Sequence, residues 1–370
     1  MLKRFEVENF KGFQAPLVLD LTAREYAFNR SLTKNGIVSK ALVYGKNGVG
    51  KSCLGIALFD IIGHLTDKEK MPGKYLTNYI NLNSQSPYAR FKYSFQFEDD
   101  EIVYEYEKTD PDNLVYEKLW VNQQQVLDYY FFDTQKRIID KSLCGDLNIE
   151  LVDNKLSVIK YIYRNTPTNF HPLLTNMMVF CDNMLWFRCL SDGNNYCGAF
   201  NGGALLTEKL YESGKIHEFE QFLADNELDY KLEYVNSNGS RELMALYDDG
   251  KKMVPFLSII STGTAALFLY YVWKISAFQK ISFLFIDEFD AFFHYESAEN
   301  IVKQLNKNTA FQSILTSHNT YLMQNQLTRP DCCFIMTKNR ITSLFNSTEK
   351  EIREAHNLEK MYINGAFHEI

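Results

Sequence analysis

The sequence has no long apolar run, no heptad repeat and no surplus of positive charge, and each absence removes a class of function. The longest apolar stretch, Ala265 to Trp273, is too short to span a bilayer. The opening Met1-Leu-Lys-Arg-Phe-Glu contains no signal-peptide core. Without heptads, no long coiled-coil insertion is expected, and any lid must be compact. The formal net charge of −7 gives no global reason to bind nucleic acid or an anionic membrane surface, which leaves only a local basic patch open. Seven cysteines, an odd number without metal-ligand spacing, fit a reducing compartment. The adjacent Cys332 and Cys333 lie in an apolar run and read as core thiols. The expectation is a soluble, cytoplasmic protein with no membrane partner.

What is present is a globular chain of 370 residues, 46% hydrophobic and 23% charged. That length can bury one large core or two lobes. Aromatics at 15%, with 28 Phe and 23 Tyr, suit strand-rich regions. The chain is organised around Ala41-Leu-Val-Tyr-Gly45-Lys-Asn47-Gly48-Val-Gly50-Lys51-Ser52, which reads G-x-x-x-x-G-K-S. Gly45, Gly48 and Gly50 let the backbone, including Asn47, curl so that N–H groups converge on phosphate oxygens. Lys51 brings charge to the β- and γ-phosphates, and the Ser52 hydroxyl suits Mg²⁺. An apolar strand enters the loop, and Leu54, Ala57, Leu58, Ile61, Ile62 and Leu65 give the helix that follows one buried face.

Three parts are expected: an N-terminal lobe over 1–135, a mostly helical insertion or lid over 136–250, and a C-terminal lobe over 251–370. Leu2 to Phe13 and Leu17 to Leu21 read as strands. From Ala89 to about Asp133, period-two alternation with turns at Asp99-Asp100 and Thr109 to Asn113 predicts an antiparallel meander. Leu173 to Leu190 reads as a buried helix, Asp192 to Asn195 and Asn201 to Gly203 as breaks, and Leu205 to Asn226 as a helix. After Pro255 strands alternate with helices, which implies a parallel sheet with ligand at its C-terminal edge.

Asp287-Glu288 closes the apolar run Ile281 to Ile286. Asp287 would hold Mg²⁺ opposite Ser52, and Glu288 would polarise the water that attacks the γ-phosphate. Glycosidase carboxylates would instead sit on separate elements with a gap for substrate. His318, ending the next strand between Ser317 and Asn319, can donate to the γ-phosphate. Ser261-Thr262-Gly263-Thr264 precedes a helix and reads either as an anion-binding helix start, suited to a nucleotide held by another copy, or as a plain N-cap.

Together these residues resemble the ATP-binding-cassette type of head in the structural-maintenance-of-chromosomes (SMC), RecF and overcoming-lysogenisation-defect (OLD) ATPases. The opening Leu2-Lys-Arg-Phe-Glu-Val-Glu-Asn9-Phe10-Lys11-Gly12-Phe13 is similar to the start of those heads, and Ile260 to Thr264 to their signature. The resemblance implies a P-loop α/β fold: a mixed sheet, an antiparallel β-subdomain and a compact helical insertion. It puts Lys11 beside the nucleotide, Ser261 and Gly263 at signature positions, Asp290 on a dimer-contact loop and His318 at a switch position. Gln96 and Gln123 to Gln125 are candidates for the family's Q-loop glutamine. Thr262 replaces a transporter-type glycine.

More narrowly, Ser261 to Thr264, Phe285-Ile-Asp-Glu-Phe-Asp-Ala-Phe and the tail Arg353 to Tyr362 resemble AAA family ATPases of bacterial anti-phage defence operons. This resemblance implies ATP and Mg²⁺ as ligands and hydrolysis across a head-to-head homodimer or larger assembly. It also implies a separately encoded effector, a nuclease or toxin, that the ATPase holds or releases. The alternative is a RecF-like DNA-binding repair ATPase, whose basic candidates Lys303, Lys307, Lys338 and Arg340 are scattered. A self-contained nuclease would need a second catalytic cluster, and none is found; a transporter subunit is opposed by the Asn9-Phe10 opening.

Overall fold

The computed structural model describes residues 1–151, 153–167, 169–188, 195–199, 205–237 and 240–367. Two seven-stranded sheets carry most of these residues. The central sheet runs in the order Tyr196–Gly198, Met184–Arg188, Phe283–Asp287, Gln312–Ser317, Lys40–Tyr44, Cys333–Met336, Ile341–Ser343. Its five inner strands are parallel and its two edge strands antiparallel. The second sheet is antiparallel throughout. Leu2–Glu8 and Leu17–Asp20 join the meander Ala89–Phe97, Asp100–Lys108, Leu114–Val121, Gln124–Tyr130, with Arg137–Ile139 at the far edge.

Side-chain alternation along the central strands divides the interior in two. Ala41, Val43, Met184, Trp186, Phe283, Phe285 and Ile314 face a core shared with the antiparallel sheet and the helix Lys51–Leu58. Leu42, Tyr44, Leu185, Phe187, Leu284, Ile286 and Leu315 face a second core. That core holds the helices Thr262–Ser276 and Tyr295–Lys307. Strands buried on both faces read as continuous apolar runs, and Phe283 to Ile286 shows this. The helix Lys51–Leu58 lies very close to the sheet. A Cβ on Gly55 would stand 2.6 Å from the Phe285 ring and 2.9 Å from Trp186 Nε1.

Buried polar groups join the layers. Gln312 donates to the carbonyls of Leu2 and Val38 at 2.8 and 2.9 Å and accepts the Leu2 N–H at 3.0 Å, which fastens the N-terminal strand to the central sheet. Asp60, just past the phosphate-loop helix, accepts from Tyr79, Tyr106 and Lys108 at 2.8, 2.9 and 2.7 Å.

Three readings of the sequence change. The helix expected over Leu173 to Leu190 is the shorter Pro172–Asp182, followed by the central strand Met184–Arg188. The helix expected over Leu205 to Asn226 is two, Leu206–Ser213 and Ile216–Ala224, divided at Gly214 with φ +66°. The stretch 136–250 therefore contributes strands as well as helices, including most of a three-stranded antiparallel sheet, Leu232–Ser237, Ser240–Tyr247 and Lys252–Pro255. Apart from Asn195, the breaks at 192–195 and 201–203 lie outside the described residues. Cys332 and Cys333 are core thiols. No helix of the described residues is long and apolar enough to cross a membrane.

Lys40 opens the phosphate-loop strand and is 4% exposed. Its amine donates to the Phe311 carbonyl at 2.5 Å, and burial pushes its pKa down to about 7. In the unfolded chain a lysine titrates near about 10.4, so from about pH 7 upward the unfolded state binds the extra proton and this site's contribution to stability rises with pH. Lys40→Met is expected to raise the thermal midpoint by roughly 2–4 °C at pH 6, a gain that shrinks as the pH approaches about 10. A difference that stays constant over this range would contradict a buried, depressed amine.

Candidate nucleotide site

The phosphate loop leaves the strand Lys40–Tyr44 and enters the helix Lys51–Leu58, with Gly48 and Gly50 at φ +80° and +108°. Gly50 caps that helix without a side-chain bond, so its first N–H groups face the loop. Lys46, Asn47 and Gly48 are exposed, whereas Lys51 is 4% exposed. The Lys51 amine donates to the Gly45 carbonyl at 2.6 Å and the Lys46 carbonyl at 3.2 Å. Burial lowers its pKa, and Glu288, Asp287 and Asp290 oppose the shift. The loop lysine therefore lies within electrostatic reach of three carboxylates.

Strand parity explains the approach. Asp287 continues the Phe283, Phe285 face and Arg188 the Met184, Trp186 face, so both point toward the phosphate-loop helix. Asp287 is 0% exposed. Its Oδ1 accepts from the Thr316 hydroxyl at 2.9 Å. The Ser52 hydroxyl faces the same carboxylate and favours its charged form. Arg188 Nε stands 3.3 Å from Oδ2 but out of hydrogen-bond alignment, and Oδ2 has no hydrogen-bond partner. Burial raises the Asp287 pKa, with Arg188, Ser52 and Thr316 pulling the other way. A buried carboxylate oxygen without a donor, facing a serine hydroxyl, suits a hard cation such as Mg²⁺.

Glu288 follows in left-handed backbone, φ +48°, which is unfavourable for a residue with a side chain. Its N–H donates to Thr316 Oγ1 at 2.8 Å and its Oε2 accepts from Arg188 Nη2 at 2.7 Å. One hydroxyl, on the neighbouring strand, thus fixes both carboxylate residues.

The family model described as "AAA domain, putative AbiEii toxin, Type IV TA system" matches residues 40–143 and 192–324, more than half of the chain. The chain belongs to this AAA-domain family. The phosphate loop falls in the first matched segment and Ser261 to His318 in the second; Lys11 and Arg188 lie outside both. Among solved structures, the chain is similar to an SMC head bound to the C-winged helix domain of ScpA. Identity there is 14% and the TM-score 0.47, over 93% of this chain and 97% of that one. It is also similar to the SMC head domain of Thermotoga maritima, with 14% identity and TM-score 0.43 over 92% and 98%. A third likeness is to RecF with ATPγS, 14% identical with TM-score 0.38 over 93% and 98%. No curated protein sequence matches.

The remaining candidates of this AAA-domain chain occupy different places. Lys11, at φ +49°, sits on the loop that packs over the phosphate loop; Phe13 from the same loop lies 2.9 Å from where a Gly50 Cβ would stand. The Lys11 amine donates to the Thr77 carbonyl at 2.7 Å, and its pKa is lowered by burial against an opposing pull from Cys53, the neighbour of Ser52. His318 is exposed at the end of Gln312–Ser317, one strand from Asp287 and adjoining the phosphate-loop strand. Gln96 and Gln123 to Gln125 belong to the opposite end of the antiparallel sheet, near Met1, and are removed as site residues.

Asp290, expected on a dimer-contact loop, is 2% exposed within this chain, and its Oδ2 accepts from Ser317, Asn319 and Tyr321 at 2.8, 2.7 and 3.2 Å. Three donors at the end of the next strand draw it inward. Ser261 is the N-cap of Thr262–Ser276, with Oγ accepting from the Thr264 N–H at 3.2 Å. Ser261 and Thr262 remain exposed. Arg188 and Thr316 were missed: Arg188 was hidden in a run read as helix, and Thr316 was one more polar residue in a strand.

A Cβ on Gly263 would stand 2.7 Å from the Phe292 carbonyl, a backbone atom in the turn after the carboxylates. Gly263→Ala is expected to cost about 1–3 kcal/mol in urea unfolding, since helix or turn must shift. An unchanged midpoint would mean that the two do not pack this closely.

Proposed function

We propose that the chain is an ABC-type, SMC/RecF/OLD-like ATPase that binds and hydrolyses ATP with Mg²⁺ as a head-to-head dimer. We further infer that it is the sensor or regulatory component of a bacterial anti-phage system, holding or releasing a separate nuclease or toxin. The observation that carries the ATPase reading is the buried, partly unpartnered Asp287 carboxylate facing Ser52. The defence reading is supported by the family description, which names a toxin and a toxin–antitoxin system, and by the resemblance of the signature and tail segments.

Mg²⁺, held by Ser52 and Asp287, would supply charge neutralisation for the phosphates. The Lys51 amine would exchange the Gly45 and Lys46 carbonyls for phosphate oxygens of the substrate, and the loop N–H groups would orient them. Glu288 would take the proton of the attacking water, with its backbone held by Thr316. The exposed His318 would read the γ-phosphate, and Ser261 and Gly263 would cap the nucleotide of a second copy. A DNA-binding reading needs a basic groove, and one of its candidates, Lys303, is paired with Glu299 at 2.6 Å.

Light scattering with and without Mg²⁺–ATP tests the sandwich. Glu288→Gln is expected to bind ATP and stay in the larger assembly, while the wild type returns to its starting mass as ATP is consumed. A monomer under every condition would overturn the head-to-head mechanism.

A further inference from the structure

Arg188 belongs to no motif, yet it touches both carboxylates on which the ATPase reading rests. It ends the strand Met184–Arg188, in register with Asp287. Its Nη2 donates to Glu288 Oε2 at 2.7 Å, and its Nε lies 3.3 Å from Asp287 Oδ2. Asp287 is fully buried and two adjacent carboxylates repel, so a positive charge beside them favours the ionised pair whenever no metal is bound. The oxygen that Arg188 approaches is the one without a hydrogen-bond partner, and hence the one a cation would take.

We propose that Arg188 is a positioning residue that serves as the resident counter-cation of Asp287 and Glu288. It competes with Mg²⁺ for Asp287 and holds the Glu288 carboxylate until the metal replaces it. This deepens the ATPase reading and rests on its metal site. Two cations cannot share one buried oxygen without mutual repulsion, so metal binding drives the guanidinium away. A Glu288 oxygen that accepts from Arg188 is also a weaker base toward water. The device couples the arrival of the metal to the release of the general base.

The test uses thermal unfolding of the nucleotide-free full chain against MgCl₂. Arg188→Gln removes the charge while keeping an amide donor. It is expected to melt below the wild type without Mg²⁺ and to recover as Mg²⁺ is added, with a midpoint concentration roughly tenfold lower than that of the wild type. An equal or higher midpoint, or no response to Mg²⁺, overturns the proposal. If Arg188→Gln does not fold, Arg188→Lys keeps one charge without the fork. An intermediate midpoint is then expected, and one at or above the wild-type value overturns the proposal. ATP binding by the wild type beside Lys51→Ala is measured separately. Its failure would count against the nucleotide reading, absence of any Mg²⁺ response in the wild type would count against the metal site, and the difference between wild type and variant bears on Arg188.

Discussion

A carboxylate buried at the end of a strand must be compensated, and the arrangement around Asp287 follows from that requirement. A lone charge in the interior would either shift its pKa or unfold its surroundings. Here compensation comes from separate elements: Thr316 from the neighbouring strand on one side, Arg188 from the strand on the other, and Ser52 from the phosphate-loop helix. Each reaches Asp287 because parallel strands end together at one edge and because Gly55 lets the helix lie against the Phe285 and Trp186 side chains. The same edge carries the loop lysine and the Glu288 turn. Fold and site are thus one consequence of how the sheet is stacked.

The neighbouring Asp290 extends this arrangement outward. It ties the carboxylate turn to Ser317, Asn319 and Tyr321, and the adjoining Thr320 hydroxyl donates to Glu359 of the tail at 2.7 Å. That tail helix, Leu358–Ile363, packs on the core through the buried Leu358, and Tyr362 meets Tyr44 of the phosphate-loop strand edge to face at 5.0 Å. The turn that carries Glu288 is thus joined by hydrogen bonds and packing to the tail.

What was legible in the sequence was local. The phosphate loop and the run into Asp287-Glu288 are short contiguous stretches, and each strand of the meander, Ala89–Phe97, Asp100–Lys108, Leu114–Val121 and Gln124–Tyr130, reads from its own alternation. The strand Met184–Arg188 was hidden because it follows the helix Pro172–Asp182 within a single apolar stretch, where periodicity cannot separate a buried strand from a buried helix. The polar pair Asp182-Asn183 is the signal that divides them. Losing that strand also lost Arg188. The inward turn of Asp290 was illegible for another reason: its three donors lie some thirty residues away and become neighbours only through strand pairing.

The most direct measurement is ATP binding and phosphate release followed in parallel for the wild type, Lys51→Ala and Glu288→Gln in the presence of Mg²⁺. The account predicts that Lys51→Ala loses binding, while Glu288→Gln binds like the wild type and loses most of its phosphate release, on the order of a hundredfold or more. Undiminished release by Glu288→Gln, or undiminished binding by Lys51→Ala, would contradict a single site built from the phosphate loop and the carboxylate strand.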